Sequence, residues 1–240
     1  MKAMILAAGK GKRLRPLTDS IPKTMVPIGD KPLLEHVVRL LSSHGFAELV
    51  INLHHLPEVI RDHFGDGSRW GVDIRYSCEE ELLGTAGAVR QMSSFFDEPF
   101  LIYYGDNLCN ADLGELWRDH SSRRPDVTMG LLWMDEPTNR GIVRLDKDCR
   151  VTRIVEKPKP EQVFDDYLVN GGIYVVDPAV VELIPASGPY DFSRHLFPEL
   201  IAAGRCLHGH RLKGQLLSTD TPARYEDTCR QVAAGTFNLP

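Results

Sequence analysis

Residues 4–23, MILAAGKGKRLRPLTDSIPK, decide how the chain is read. Met4 to Ala8 is an apolar, buried-type strand that runs straight into a glycine-bearing loop, Gly9-Lys10-Gly11-Lys12-Arg13. From Lys10 to Lys31 there are six basic residues (Lys10, Lys12, Arg13, Arg15, Lys23, Lys31) against two acidic ones, Asp19 and Asp30. Glycines let backbone N–H groups approach a ligand, and clustered cations neutralise it, so a polyphosphate suits this loop. The whole chain carries a formal charge of −5, so the positive charge here is local.

Working outward, 240 residues with 42% hydrophobic content can bury one α/β domain or a closely merged pair. The acidic balance argues against a nucleic-acid partner or a membrane surface, both of which demand basic patches. Five scattered cysteines (Cys78, Cys109, Cys149, Cys206, Cys229) contain no CxxC pair and read as reduced thiols. No apolar run approaches the roughly 20 residues that cross a bilayer, and the first apolar segment is too short for a signal peptide. A soluble, cytoplasmic protein is expected.

Apolar runs at Lys2–Ala8, Glu48–Leu53, Asp73–Ser77, Phe100–Tyr104 and Val127–Leu132 read as strands. Leu33, Leu34, Val37, Val38, Leu40 and Leu41 recur at helical spacing behind Asp30 and Pro32, a cap and first-turn pair. Pro57–Phe64, Ala86–Phe95 and Leu113–His120 also read as helices. This alternation implies an α/β fold: a Rossmann-like, mostly parallel sheet flanked by helices, with ligands at the carboxyl ends of the strands. Beyond about residue 140, strand-like runs at Gly141–Leu145, Arg150–Glu156 and Val169–Val176 precede a helical segment, Asp191–Ala203, and a closing helix, Pro222–Ala234. No Pro/Gly/Ser-rich linker intervenes, so 1–240 reads as one domain. Residues from about 1 to 107 read as the half that carries the phosphate loop, and from about 108 to 240 as a merged lobe with the closing helix.

Two familiar phosphate loops fail. The dinucleotide fingerprint G-x-G-x-x-G needs glycine at position 14, which is Leu14. The Walker loop needs a hydroxyl after Gly-Lys, where Arg13 stands.

Leu6-Ala7-Ala8-Gly9-x-Gly11-x-Arg13-x-x-Pro16-Leu17-Thr18, followed by Pro22-Lys23, resembles the opening signature of the sugar-1-phosphate nucleotidyltransferases. Further pieces of that pattern follow in order: Leu83-Gly84-Thr85-Ala86-Gly87, Gly105-Asp106-Asn107, Glu156-Lys157-Pro158 and Asn170-Gly171-Gly172-Ile173-Tyr174. Five fragments in order are a specific signal, covering nearly the whole chain. Without a long C-terminal β-helix extension, the chain looks like a short, single-domain member, similar to mannose-1-phosphate guanylyltransferases. The resemblance implies a GT-A-like fold, Mg²⁺ as cofactor, and a nucleoside triphosphate and a sugar 1-phosphate as small-molecule partners. It leaves the oligomeric state open, a homo-oligomer included.

The resemblance also implies roles. Leu6, Ala8, Gly9 and Gly11 would wrap the nucleotide with Glu79, Gly84 and Thr85. Arg13 would neutralise the departing pyrophosphate, and Lys23 would reach the phosphates from the other side. Asp106, directly after an apolar strand, would hold Mg²⁺ and, with Arg13 and Lys23, form the catalytic set. Lys157 would hold the phosphate of the sugar, Glu156 its hydroxyls, and Asn107, Gly141, Asn170 and Gly171 would complete that pocket.

The chain departs from the pattern at Ser218-Thr219-Asp220-Thr221-Pro222, where the family places Asp-x-Gly-Thr. Ser218 falls where a second metal-binding aspartate belongs. Asp220 either reaches the ion from a shifted turn or caps the final helix. Glu79 bears on base choice: a carboxylate only accepts hydrogen bonds, and guanine offers two adjacent donors. GTP is therefore favoured, with mannose- or heptose-1-phosphate-like acceptors. UTP, CTP or dTTP with another phosphate or phosphonate acceptor, and a non-catalytic regulatory homologue, are the alternatives. His54-His55 and His208-x-His210 lack the spacing of a metal site and read as a loop pair and one face of an edge strand. Trp70, Trp117 and Trp133 read as packing residues, and Asp191 as a helix cap, with a contact to the sugar as the alternative.

Overall fold

A computed structural model describes residues 1–135, 140–164 and 167–239. The chain begins β1 (Lys2–Leu6), β2 (Pro27–Ile28), β3 (Lys31–Pro32), α1 (Leu33–Ser43), β4 (Glu48–Leu53), α2 (Pro57–Phe64) and β5 (Asp73–Cys78). Next come α3 (Gly84–Gln91), β6 (Phe100–Tyr104), β7 (Asn107–Cys109), α4 (Leu113–Arg123), β8 (Val127–Trp133), β9 (Gly141–Leu145) and β10 (Val151–Glu156). β11 (Leu168–Val176), α5 (Pro178–Val181), α6 (Phe197–Ala202), β12 (Leu207–Arg211), β13 (Leu216–Ser218) and α7 (Pro222–Ala233) complete it. This is a mixed α/β fold with a mostly parallel central sheet flanked by helices. Two compact units emerge: Met1–Leu82 with Tyr103–Ala111 and Gly214–Pro240, and Leu83–Ile102 with Asp112–Lys213.

In the first unit β1, β4 and β5 run parallel, with Leu6 opposite Asn52 and Asn52 opposite Ser77. Ala3, Met4, Ile5, Leu49, Val50, Ile51 and Leu53 are buried, the near-continuous apolar reading of strands covered on both faces. The six periodic positions of α1 are all buried. Its start differs from expectation. Asp30 pairs with Lys31 instead of capping, Lys31–Pro32 forms a two-residue strand, and the helix begins after Pro32 with no side-chain cap. Two short antiparallel ladders, β2–β3 and β7–β13, join segments too brief to declare themselves by pattern.

A buried cluster of Leu14, Val26, Ile28, Leu33, Leu108 and Phe237 lies beneath the glycine loop, with Leu17, Ile21, Leu217 and Tyr225 packed against it. Burying a leucine stabilises by about 2 kcal/mol, so Leu14 works as a pin where a dinucleotide loop would carry glycine. The closing helix α7 is capped by Thr221, whose Oγ1 accepts from Arg224 N–H at 3.4 Å; Asp220 does not cap it.

In the second unit β8 pairs antiparallel with β11 and parallel with β12, β9 pairs with both β10 and β11, and register shifts between Asn170 and Tyr174. Asp112 caps α4 by accepting from Glu115 N–H at 3.1 Å. The expected helix 191–203 opens as one π turn, Phe192–Leu196, before α6. His208 and His210 sit on one face of β12, both bonded to Asp119 Oδ2 at 3.0 and 2.8 Å. Trp133 corrects its expectation: it is 61% exposed and meets Tyr167 edge-on at 6.4 Å, because β8 outruns the core at that end. Among the described residues no helix is long and apolar enough to cross a membrane, no group of three or more His, Cys, Asp or Glu side chains forms a metal cluster, and all five cysteines are free thiols.

Candidate active site

In the first unit, Leu6 ends β1, Ala7 and Ala8 are buried, and Gly9 emerges into solvent. The two loop glycines differ. Gly11 has φ +62°, and a Cβ there would lie 2.8 Å from Thr18 Cγ2; its carbonyl accepts from Thr18 Oγ1 and Leu14 N–H, both at 2.8 Å. Around Gly9 a Cβ would meet nothing within 4 Å. Gly11 is thus required by the loop itself, whereas no described residue crowds the side-chain space at Gly9.

Four of the six cations are in ion pairs. Arg15 meets Asp19 at 3.1 Å and Lys31 meets Asp30, at exposed positions where such pairs contribute little. The other two pairs are built into the unit. Lys23, almost fully buried, pairs with Asp106, and Arg13 lies 3.0 Å from Asp220. Asp106 sits in the turn joining β6 to β7. Gly105 N–H donates to the Leu6 carbonyl at 3.0 Å, and a Cβ at Gly105 would lie 3.1 Å from that oxygen, so glycine lets the two backbones close. Thr219 N–H and Oγ1 donate to the Asp106 carbonyl at 3.3 and 3.2 Å, and Ser218 pairs in register with the buried Asn107. Oδ1 of Asp220 accepts from Ser218 Oγ at 3.0 Å and Arg224 Nη1 at 2.8 Å. Glu79 is 6% exposed, not a solvated loop residue, and Asn52 Nδ2 donates to its Oε1 at 2.6 Å.

The second unit gathers the remaining candidates. Gly84 opens α3 at φ +74°, where a Cβ would lie 2.6 Å from the Tyr190 carbonyl. Thr85 donates from N–H and Oγ1 to Asp191 Oδ1, each at 3.2 Å, and Phe192 N–H donates to Thr85 Oγ1 at 3.0 Å. Asp191 therefore anchors Thr85 and forms no side-chain cap bond with its own helix. Gly141 stands opposite Glu156, and a Cβ there would lie 2.7 Å from Glu156 Oε2. Lys157 is exposed with φ +47°, its N–H donating to the Arg140 carbonyl at 3.2 Å. Asn170 donates to Ser193 Oγ at 3.1 Å and accepts from Gly172 N–H and Tyr174 OH, each at 2.9 Å. A Cβ on Gly171 would lie 2.9 Å from the Gly130 carbonyl, so internal packing explains that glycine.

A family model for nucleotidyl transferases matches residues 2–215. The chain belongs to the nucleotidyl transferase family. It is 37% identical over 218 residues to the UTP–glucose-1-phosphate uridylyltransferase of Synechocystis sp., spanning 85% of this chain and 56% of that protein. It is 36% identical over 208 residues to the mannose-1-phosphate guanylyltransferase of Mycobacterium tuberculosis, again spanning 85% and 56%. The chain thus covers little more than half the length of these curated relatives. The solved structure of HddC from Yersinia pseudotuberculosis shares the fold, at a TM-score of 0.81 and 24% identity over 96% of this chain and 99% of that one.

In this chain the sequence motifs miss four features that support the candidates: Asn52, Ser193, Arg224 and the Thr85-binding role of Asp191. Only Asn52 left a signal, a carboxamide inside the apolar run Leu49-Val50-Ile51-Asn52-Leu53. The oxygen-only set of Asp106 and Asp220 has the donor chemistry of a hard divalent cation. Asp106 suits it, as a half-buried carboxylate beside a turn. Asp220 has both oxygens on protein partners, Arg13 on one and Arg224 with Ser218 on the other.

Proposed function

We propose that this nucleotidyl transferase moves a nucleoside monophosphate from a triphosphate, GTP by preference, to a mannose- or heptose-1-phosphate-like sugar, releasing pyrophosphate. The observation that carries the proposal is the pairing of Lys23 with Asp106 and of Arg13 with Asp220 within one unit, at the end of the glycine loop. A phosphate arriving there meets cations already oriented by carboxylates, so positioning precedes binding. Gly9 adds support: among the described residues nothing lies within 4 Å of its missing side chain, which suits backbone contact with a ligand.

In the reaction an oxygen of the sugar phosphate attacks the α-phosphorus. The bond to the bridging oxygen breaks, and pyrophosphate leaves with the electron pair. Arg13 neutralises charge on the leaving group, and Lys23 orients the phosphates against Asp106. Lys157 holds the phosphate of the acceptor, and Glu156 accepts from its hydroxyls. Asp106 would hold Mg²⁺, with Asp220 joining after exchanging Arg13, and bound Mg²⁺ would neutralise phosphate oxygens. Glu79 favours guanine by accepting from N1–H and the 2-amino group. The mannose-1-phosphate guanylyltransferase relative supports that base, while the 37% identity to the uridylyltransferase supports UTP with glucose 1-phosphate as a second reading. Retention of Arg13, Lys23, Asp106 and Lys157 together favours an enzyme over a nucleotide-sugar-binding regulator. Free thiols support a reducing, cytoplasmic setting.

Pyrophosphate release from GTP, UTP, CTP and dTTP, each with a set of sugar 1-phosphates and Mg²⁺, tests the proposal. Release with GTP and mannose 1-phosphate supports it; tight nucleotide-sugar binding without release with any pair replaces it with the regulator.

A further inference from the structure

We propose that Asn52 is a positioning residue for base selection, acting through Glu79; this deepens the assignment of Glu79 as the base-facing carboxylate and rests on it. Asn52 is 4% exposed near the end of β4, facing Leu6 of β1 and Ser77 of β5 in register. Its Oδ1 accepts from Ala7 N–H at 2.6 Å, and its Nδ2 donates to Glu79 Oε1 at 2.6 Å. Both partners have a fixed sense, because a backbone N–H only donates and a carboxylate only accepts. The orientation of the carboxamide follows from that.

The position calls for one acceptor and one donor at the tip of a short side chain. Aspartate would set a second carboxylate against Glu79. Leucine, the apolar isostere, would leave the buried Ala7 N–H unmet and remove the donor to Glu79 Oε1. Glutamine adds a methylene where the packing is closed. The backbone of Glu79 is pinned independently: its N–H donates to the Leu53 carbonyl at 2.8 Å, and its carbonyl meets His54 Nδ1 at 2.9 Å. What Asn52 adds is the direction of the carboxylate. The same amide fixes Ala7, where β1 gives way to the glycine loop, so one side chain sets both the group that reads the base and the start of the phosphate loop. Ser77 Oγ, buried opposite Asn52 and without a hydrogen-bond partner among the described residues, continues this polar patch onto β5.

Steady-state kinetics with GTP and UTP on wild type, Asn52→Ser, Glu79→Gln and the double variant test the proposal. Asn52→Ser is expected to lower kcat/KM for GTP at least about tenfold more than for UTP, the scale of one hydrogen bond to a charged group. That penalty should largely vanish in the Glu79→Gln background. Equal losses for both triphosphates, or additive losses in the double variant, overturn it. If wild type does not prefer GTP, the base assignment falls, and the coupling of positions 52 and 79 on whichever triphosphate is preferred still decides the role of Asn52. If Asn52→Ser fails to fold, Asn52→Asp combined with Glu79→Gln restores one donor and one acceptor in the reverse sense. That variant is expected to fold and to lack the GTP preference, and a retained preference overturns the proposal.

Discussion

Arg13 Nη2 stands 3.0 Å from Asp220 Oδ2, so a cation of the glycine loop is held in place by the turn that precedes the closing helix. Burial by itself raises the Asp220 pKa, but the hydrogen bond and charge of Arg224, the Ser218 hydroxyl and the charge of Arg13 outweigh it and hold the carboxyl below its ordinary 3.8. A depressed folded value means that Asp220 stabilises the protein above its unfolded pKa, and that this contribution is lost as pH falls through the folded one. Wild type should therefore melt above Asp220→Asn at pH 7, with the gap closing below about pH 4. Thermal melts in chelator-containing buffer across that range check it. A gap that widens on acidification contradicts it.

Gly9 and Gly11 should separate cleanly. Gly11→Ala places a Cβ 2.8 Å from Thr18 Cγ2 at φ +62°, so a cost of about 1–3 kcal/mol and a Tm lower by several degrees are expected. Gly9→Ala has open space within 4 Å, so Tm should hold while kcat/KM for the triphosphate falls about tenfold or more. Calorimetry paired with a pyrophosphate assay measures both. Unchanged activity in Gly9→Ala would remove this glycine from ligand contact.

Lys23 and Asp106 form a pair in which the lysine is nearly buried and the aspartate is about one-third exposed. Asp106→Asn keeps the shape and removes the charge, so kcat should fall at least about a thousandfold, with a lower Tm because the nearly buried Lys23 ammonium loses its partner, the chain still melting cooperatively. Lys23→Ala should lower kcat by about a hundredfold and also destabilise, because Asp106 loses its partner. Turnover in Asp106→Asn within tenfold of wild type would exclude the assigned role.

Lys157 is exposed and held at φ +47° by its backbone bond to Arg140, which fixes where the side chain starts without engaging its ammonium group. Lys157→Ala should raise KM for the sugar phosphate by about ten- to a hundredfold and leave KM for the triphosphate within about twofold. Equal loss for both substrates would count against it as the acceptor's phosphate ligand.

Local pattern carried much of the fold. β4, β6, β9 and α2 lie where their apolar runs and turn residues put them, because each is bounded by polar or glycine-bearing segments. The two- and three-residue strands β2, β3, β7 and β13 were hidden, since each exists only through a partner strand. The site divides in the same way. Glycine and charge motifs mark Gly9, Arg13, Lys23, Asp106 and Lys157 from the chain alone. The bonds of Asp191 to Thr85, Asn52 to Glu79 and Arg224 to Asp220 pair side chains from different elements or across a helix start, and no spacing rule announces them. Asn170 is marked as a sugar-pocket candidate by its motif, while its bonds to Ser193, Gly172 and Tyr174 are visible only in the fold. Trp133 reads as a packing residue and is exposed, its ring meeting Tyr167 edge-on, because apolar character cannot say where a strand leaves the protein.

The most direct measurement is pyrophosphate release, in the presence of Mg²⁺, from the intact chain given GTP and mannose 1-phosphate, with Arg13→Ala and Asp106→Asn alongside. Rapid release by wild type, lost in both variants while both still melt cooperatively as folded proteins, is the predicted result. Release unaffected by either substitution would contradict the claim that the glycine loop and the β6–β7 turn hold the reacting triphosphate.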